Sequence, residues 1–247
     1  MARCLKPGEG FTLLELLVTI TVVAVLAALI FASINKVRSY ASRTSDLGRI
    51  RKLAAACITY SIDCGHYPDS FQVAGMTWDL QLFPALGLET GKASPAVGLL
   101  DQSAAGLEVF AASWDNAPRK QGGLARGFAL AGWICNAIEG TGNNPGPYTS
   151  SWGVTWPYFN GAPLVAINRP GSYILLTPVG VGFQSPNNVI GAGSYALSDW
   201  PGNDPASWPY SGSAPFAFCD CSVSILRCKD FKSITDFRMK YADNRIR

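Results

Sequence analysis

Charge is scarce in this chain: Asp, Glu, Lys and Arg make up 15% of its 247 residues, against roughly 25% in an ordinary soluble domain. The formal net charge is +3, and no dense Lys/Arg patch is interleaved with aromatics, which removes the case for a nucleic-acid partner. Histidine is nearly absent. His66 alone leaves little material for acid–base chemistry, and the acids are scattered without an evident pair. There is no Ser-His-Asp or Cys-His constellation, no Gly-rich phosphate loop and no internal repeat. Enzyme is therefore the weakest reading, with no catalytic residue and no cofactor expected. Proline is missing from Ile34 to Asp63, whereas the 25 glycines and 16 prolines lie almost wholly beyond residue 64. That contrast predicts a long helix first and a loop-rich body of short strands after it.

Charge is also missing from Leu16 to Ile34, and this absence is the most informative one. A polar leader, residues 1–10, carries Arg3 and Lys6 and ends at Gly10. Phe11-Thr-Leu-Leu-Glu15 follows, and then the uncharged apolar run. As a helix, Phe11 to Ile34 would be about 36 Å long, enough to cross a hydrocarbon core of about 30 Å with some tilt. A cleavable secretory signal would have a shorter apolar core before its small-residue cut site, although Ala27, Ala28 and Ala32 supply small residues here. A plain single-pass anchor would leave Glu15 unexplained, because a carboxylate inside an apolar span is costly and marks a function.

Leader, Gly10, Phe11 and an acid at the fifth position after the junction resemble type IV prepilins and type II secretion pseudopilins, in register over GFTLLELLVTITVVAVLAALI. The resemblance implies that a membrane prepilin peptidase cuts on the cytoplasmic side between Gly10 and Phe11 and methylates the new Phe11 amine. Glycine suits the junction, since without a Cβ it enters a protease cleft extended and breaks the helix before the span. Glu15 would then pair with the Phe11 amine of its own or an adjacent subunit, near the positive end of the helix, and set axial register. Other implied partners are further pilin or pseudopilin subunits, an inner-membrane assembly platform and membrane lipid. The implied location is the bacterial inner membrane, single-pass, with the globular domain in the periplasm or in a filament beyond it. Lys36, Arg38 and Arg43 outnumber Arg3 and Lys6, so the positive-inside count favours the opposite orientation; long translocated domains override such a bias.

The expected fold is α+β and pilin-like: a long N-terminal helix packed on a small antiparallel sheet with long loops. Its parts are a leader (1–10), a transmembrane half-helix (11–34), an amphipathic outer half (35–65) and a loop-rich β body (66–247). On the outer half, Ile34, Val37, Ala41, Leu47, Ile50, Ala54, Ile58 and Ile62 recur at helical spacing, with basic residues mostly between them. Gly65 and Pro68 stop the helix. Candidate strands are Gly127–Asn136, Tyr173–Val181 and Ala214–Leu226, and residues 138–157 and 184–213 read as long loops.

A second resemblance covers much of the remaining chain. RKLAAACITYSIDCGHYP, residues 51–68, is similar to the helix end of a large pseudopilin-like family. Trp78–Leu86 and Val109–Asp115 fall where that family has a tryptophan-led helix and a Cys-Pro-Ser-Asp turn. Its C-terminal His-x9-Asp-Gly hairpin is matched by Tyr210, Asp220 and Cys221, with tyrosine for histidine and cysteine for glycine. In that frame Tyr210 is expected to hydrogen-bond Asp220.

Seven cysteines occur, and loss of Cys4 with the leader leaves Cys57, Cys64, Cys135, Cys219, Cys221 and Cys228. An even set in an exported domain predicts disulfides, from the helix end to the sheet and among the last three. Cys57 and Cys64, two helical turns apart, should not bridge each other. Cys219, Cys221, Cys228 and His66 lack a usual zinc spacing, so no metal site is expected. The aromatics Trp152, Trp156, Tyr158, Trp200, Trp208 and Tyr210 read as core or loop anchors. The alternative is a membrane-anchored, non-polymerising binding protein that displays them to polysaccharide or a secreted substrate.

Overall fold

The structure is a computed structural model. It describes residues 12–68, 77–88, 106–115, 126–131, 148–149, 155–156, 167, 169–180, 204–233 and 236. Helix α1 runs Leu13–Cys64 without a break, as the missing prolines predict. It ends where expected: Gly65 takes a left-handed φ of +80° and its N–H reaches back to the Ser61 carbonyl at 2.9 Å. Two compact units divide within this helix, Met1–Thr44 and Ser45–Arg247.

In the first unit the apolar side chains are solvent-exposed all round, from Leu13 to Tyr40. This is the pattern of a helix whose natural surroundings are not water. Thr19, Thr21 and Ser33 lie among these residues, and their hydroxyls donate to the carbonyls of Leu16, Val18 and Ile30 at 2.8–2.9 Å. Each is thus satisfied on its own helix, which a hydrocarbon environment requires.

In the second unit the helix buries Asp46, Ile50, Leu53, Ala54, Cys57 and Ser61, a stripe at i, i+4, i+7, i+8, i+11 and i+15. The expected stripe is corrected here. Ile50 and Ala54 belong to it, but Ile62 is 67% exposed, and Ala41 is exposed as well. The buried stripe is interrupted by the polar Asp46 and Ser61, so apolar periodicity alone points to the wrong neighbours.

A four-stranded antiparallel sheet completes the α+β fold. It comprises β1 Phe128–Leu130, β4 Ile174–Pro178, β5 Ser213–Phe218 and β6 Val223–Arg227, in the order β1-β4-β5-β6. The short strands β2 Tyr148–Thr149 and β3 Thr155–Trp156 pair separately, inside the stretch expected to be one loop. The single strand expected over Ala214–Leu226 is two strands. They turn at Cys219–Ser222, where Cys221 adopts a left-handed φ of 64° in the place the resembled hairpin gives to glycine. The expected first strand is described as far as Ala131, and β1 occupies its start.

β1, β4 and β5 are buried, and their Phe128, Leu130, Ile174, Leu176, Phe216 and Phe218 share one core with Ile50, Leu53 and Cys57 of α1. The short helix α2, Trp78–Gln81, the residues just after it and the turn Leu107–Phe110 add Trp78, Phe83 and Phe110, with Phe110 meeting the other two rings at 6.0 and 6.2 Å. Gly127 permits a close approach there. A Cβ would lie 2.2 Å from the Ala112 Cβ, and the Gly127 N–H donates to the Phe110 carbonyl at 2.8 Å.

Candidate functional site

Gly10 and Phe11 lie outside the described residues, which begin at Thr12. Thr12 precedes the first helical residue. Its hydroxyl oxygen accepts the Glu15 N–H at 3.2 Å, while Glu15 Oε2 accepts the Thr12 N–H and the Thr12 hydroxyl, both at 2.9 Å. This reciprocal arrangement is a capping box. Thr-Leu-Leu-Glu is its sequence signature and could have been found by inspection. The carboxylate is exposed and held one turn inside the apolar helix, at the end where free backbone N–H groups concentrate positive potential. It is the only acid between Leu13 and Ile34. The described chain contains one helix long and apolar enough to cross a membrane, and none of its apolar window is buried.

A second carboxylate on the same helix escaped sequence reasoning. Asp46 is fully buried. Its Oδ1 accepts the Ser113 N–H at 2.9 Å and an Arg49 guanidinium N–H at 3.3 Å, and its Oδ2 accepts the Tyr210 hydroxyl at 2.8 Å and the Ser113 hydroxyl. Arg49 also reaches the Ala111 carbonyl at 3.5 Å. Four donors on one carboxylate meet the condition for burying a charge. The result is a clamp that ties the helix to the 111–115 turn and to the approach of β5. Trp114 is fixed beside it, with ring contacts of 5.4 Å to both Phe128 and Tyr210 and an indole N–H to the Val179 carbonyl at 3.1 Å. The expected contact between Tyr210 and Asp220 is therefore corrected. Tyr210 is buried against Asp46, while Asp220 is exposed in the β5–β6 turn and accepts the Ser222 N–H at 2.8 Å.

The body also contains a buried ion pair. Asp79 and Arg126 are both fully buried, with Arg126 Nε 3.2 Å from Asp79 Oδ2. Asp79 also accepts the Leu80 N–H at 3.0 Å and the Thr77 hydroxyl. Burial pulls the Arg126 guanidinium below its ordinary range, and Asp79 opposes that shift. Each charge has its partner inside the fold, so the arrangement is structural.

Of the expected disulfide set, Cys135 lies outside the described residues, Cys57, Cys64, Cys219 and Cys221 are free thiols in the structure, and Cys228 is buried. Cys57 is pushed well up by burial, with Cys219 and Cys221 contributing. Cys219 is pushed up to about 12, mainly by burial, while its hydrogen bond with the Tyr67 hydroxyl acts in the opposite sense. Tyr67 is raised as well, first by burial and then by Cys219. Among the described residues no group of three or more His, Cys, Asp or Glu is placed to hold a metal ion. Of the loop aromatics, Trp208 is buried against Phe216, with ring centroids 5.8 Å apart, and Tyr210 is spent on the clamp. Neither offers a face for display. Trp152, Tyr158 and Trp200 lie outside the described residues.

Residues 8–31 match the prokaryotic N-terminal methylation motif. The match spans the Gly10–Phe11 junction, the capping box and most of the uncharged run. It supports a prepilin-type, membrane-anchored protein with an apolar N-terminal helix. No curated protein and no solved structure matches the chain.

Proposed function

We propose that this chain is a structural subunit of a type IV pilus-like or type II secretion pseudopilus filament, cut by prepilin peptidase between Gly10 and Phe11. One observation carries the reading. The methylation motif at residues 8–31 runs into an exposed apolar half-helix whose single acid between Leu13 and Ile34, Glu15, forms a capping box with Thr12. Cleavage would create a cation at Phe11 within one turn of that carboxylate. In the precursor the carboxylate is occupied by Thr12, which keeps it satisfied until an amine competes for it.

A neighbouring subunit's Phe11 amine would then bind Glu15 as the helix leaves the bilayer and packs among others. Breaking such a buried pair costs about 3–5 kcal/mol, enough to decide between registers. Prepilin peptidase, other pilin-type subunits and an inner-membrane assembly platform are the partners this requires. The body would be periplasmic before assembly. The display reading loses Trp208 and Tyr210 to the core, and no observation favours it.

N-terminal mass analysis of the mature protein tests the cut. An N-methylated Phe11 start is expected, and intact Met1 or a start near Ala28 or Ala32 would overturn the proposal. Assembly is tested by crosslinking through the helix. The wild-type chain should give a ladder of multimers, and Glu15→Ala should be processed normally yet drop out of it. Normal incorporation of Glu15→Ala would sink the role given to the carboxylate.

A further inference from the structure

Lys36, Arg38 and Tyr40 follow the uncharged run of α1 closely and belong neither to the capping box nor to the core. All three lie in the first compact unit and are exposed, Tyr40 by 58%. Val37, between the two cations, is 65% exposed. No acid occurs in the chain between Glu15 and Asp46, so neither Lys36 nor Arg38 has one within seven residues. The ion pairs of Arg49 with Asp46 and of Arg126 with Asp79 involve neither cation.

Helix length fixes the level at which these residues stand. The uncharged residues 16–34 give about 28 Å of helix, close to a hydrocarbon core of about 30 Å. The helix continues unbroken, so Lys36, Arg38 and Tyr40 stand about 3, 6 and 9 Å beyond Ile34. The headgroup layer adds roughly 5–8 Å on each side of the core. Long basic side chains reach further still, and helical side chains lean toward the N-terminus, here back toward the bilayer. Tyrosine is a residue type enriched at that level. Lys36 and Tyr40 are one turn apart on one face and Arg38 is nearly opposite, so the charge surrounds the helix. Arg43, a turn farther out and partly buried, adds to the same field.

We propose that Lys36 and Arg38, with Tyr40 beside them, form a collar that binds the phosphates of anionic phospholipid headgroups at the end of the span. A guanidinium donates to phosphate oxygens in pairs and an ammonium acts as a point charge, so each cation gains the partner that its own helix withholds. The contact rests only on the helix crossing a membrane, and holds whether or not the chain is cut or polymerises. With the body exported, the collar meets the outer leaflet. Cations on the flank that positive-inside statistics leave poor in charge then have a use after translocation. Under the assembly reading, these contacts must be given up as the helix leaves the bilayer, so the collar retains the subunit until then.

The test titrates the full chain, purified in non-ionic detergent, with dioctanoyl phosphatidylglycerol or phosphatidylcholine and counts bound lipid by native mass spectrometry. Phosphatidylglycerol should bind about 10–30-fold more tightly at 0.1 M salt, about fivefold for each cation, and the difference should shrink in 0.5 M salt. Lys36→Gln with Arg38→Gln should remove most of it while leaving the melt of the body unchanged. Arg51→Gln with Lys52→Gln is the control: both are exposed about 25 Å beyond Ile34, more than a Debye length from the headgroup layer, and should change nothing. Equal losses from the two double variants would overturn the collar. So would equal binding of the two lipids by wild type, together with loss of the helix-crosslinked ladder in the Lys36/Arg38 variant, which would assign the cations to a second copy. Release of the chain from membranes by alkaline carbonate would overturn the spanning helix and the collar together. Absence of lipid preference in a chain that resists carbonate overturns the collar alone.

Discussion

Two of the three carboxylates on helix α1, Glu15 and Asp46, solve the same physical problem in opposite ways. Glu15 sits in an apolar stretch with every neighbour exposed, and its hydrogen bonds come from Thr12, three residues away. Asp46 is buried, and its donors Ser113 and Tyr210 come from 67 and 164 residues away. The first acid is satisfied locally and remains open to a new partner. The second is used up in holding one body together. A carboxylate's surroundings, rather than its position on a helix, decide whether it serves assembly or folding.

The strongest way to break this comparison is to remove each acid in turn. Asp46→Ala strands the Ser113, Tyr210 and Arg49 donors in the core and should cost about 3–5 kcal/mol, lowering Tm by roughly 10 °C. Glu15→Ala should leave the thermal melt of the body unchanged. Equal shifts for the two variants would remove the distinction.

The apolar residues of the two halves differ in the same way. Leu53→Ala, at a fully buried site, should cost about 2–4 kcal/mol in a chemical denaturation series. Leu17→Ala, 56% exposed, should cost nothing there and act only on membrane retention. A finer probe is Tyr210→Phe, which deletes the hydroxyl donated to Asp46 and keeps the edge-to-face ring contact with Trp114. The expected loss is about 2 kcal/mol, since the bond ends on a charged group.

The last prediction concerns pH. Cys219 is raised to about 12 when folded and Cys57 is raised too, so between about pH 9 and 12 the unfolded chain sheds protons that the native state keeps. Reduced protein should therefore hold its full stability below about pH 8.5 and lose at most about 1.4 kcal/mol per pH unit per thiol above it. Melts at pH 7.5 and 10.5 should show the fall, and Cys219→Ala should make it shallower.

How much of this was legible in the sequence follows from the range of the interactions. The helix, its stop at Gly65, the exposed apolar half and Glu15 rest on composition and on spacing within a turn or two, and all can be read from residues 8–68. The hairpin was placed correctly in the chain but misread as one strand, because Cys221 occupies a left-handed position usually marked by glycine. Asp46 was not legible. An aspartate between Ser45 and Leu47 on a helix with many charges reads as a solvated residue, and only its distant donors reveal that it is buried. The same distance hid the correct stripe of α1 and redirected Tyr210 from Asp220 to Asp46.

The separation between Asp46 and Tyr210 also has a consequence in time. At about 5–20 residues per second, synthesis delivers Tyr210 some 8–30 s after Asp46. Throughout that interval the clamp has no Tyr210 to accept from, and β5, which covers the helix stripe, has not been made. The second half of α1 must therefore wait uncovered, beside an anchor already able to enter a bilayer. During that wait the nascent chain depends on the membrane or on a chaperone to shield Ile50 and Leu53.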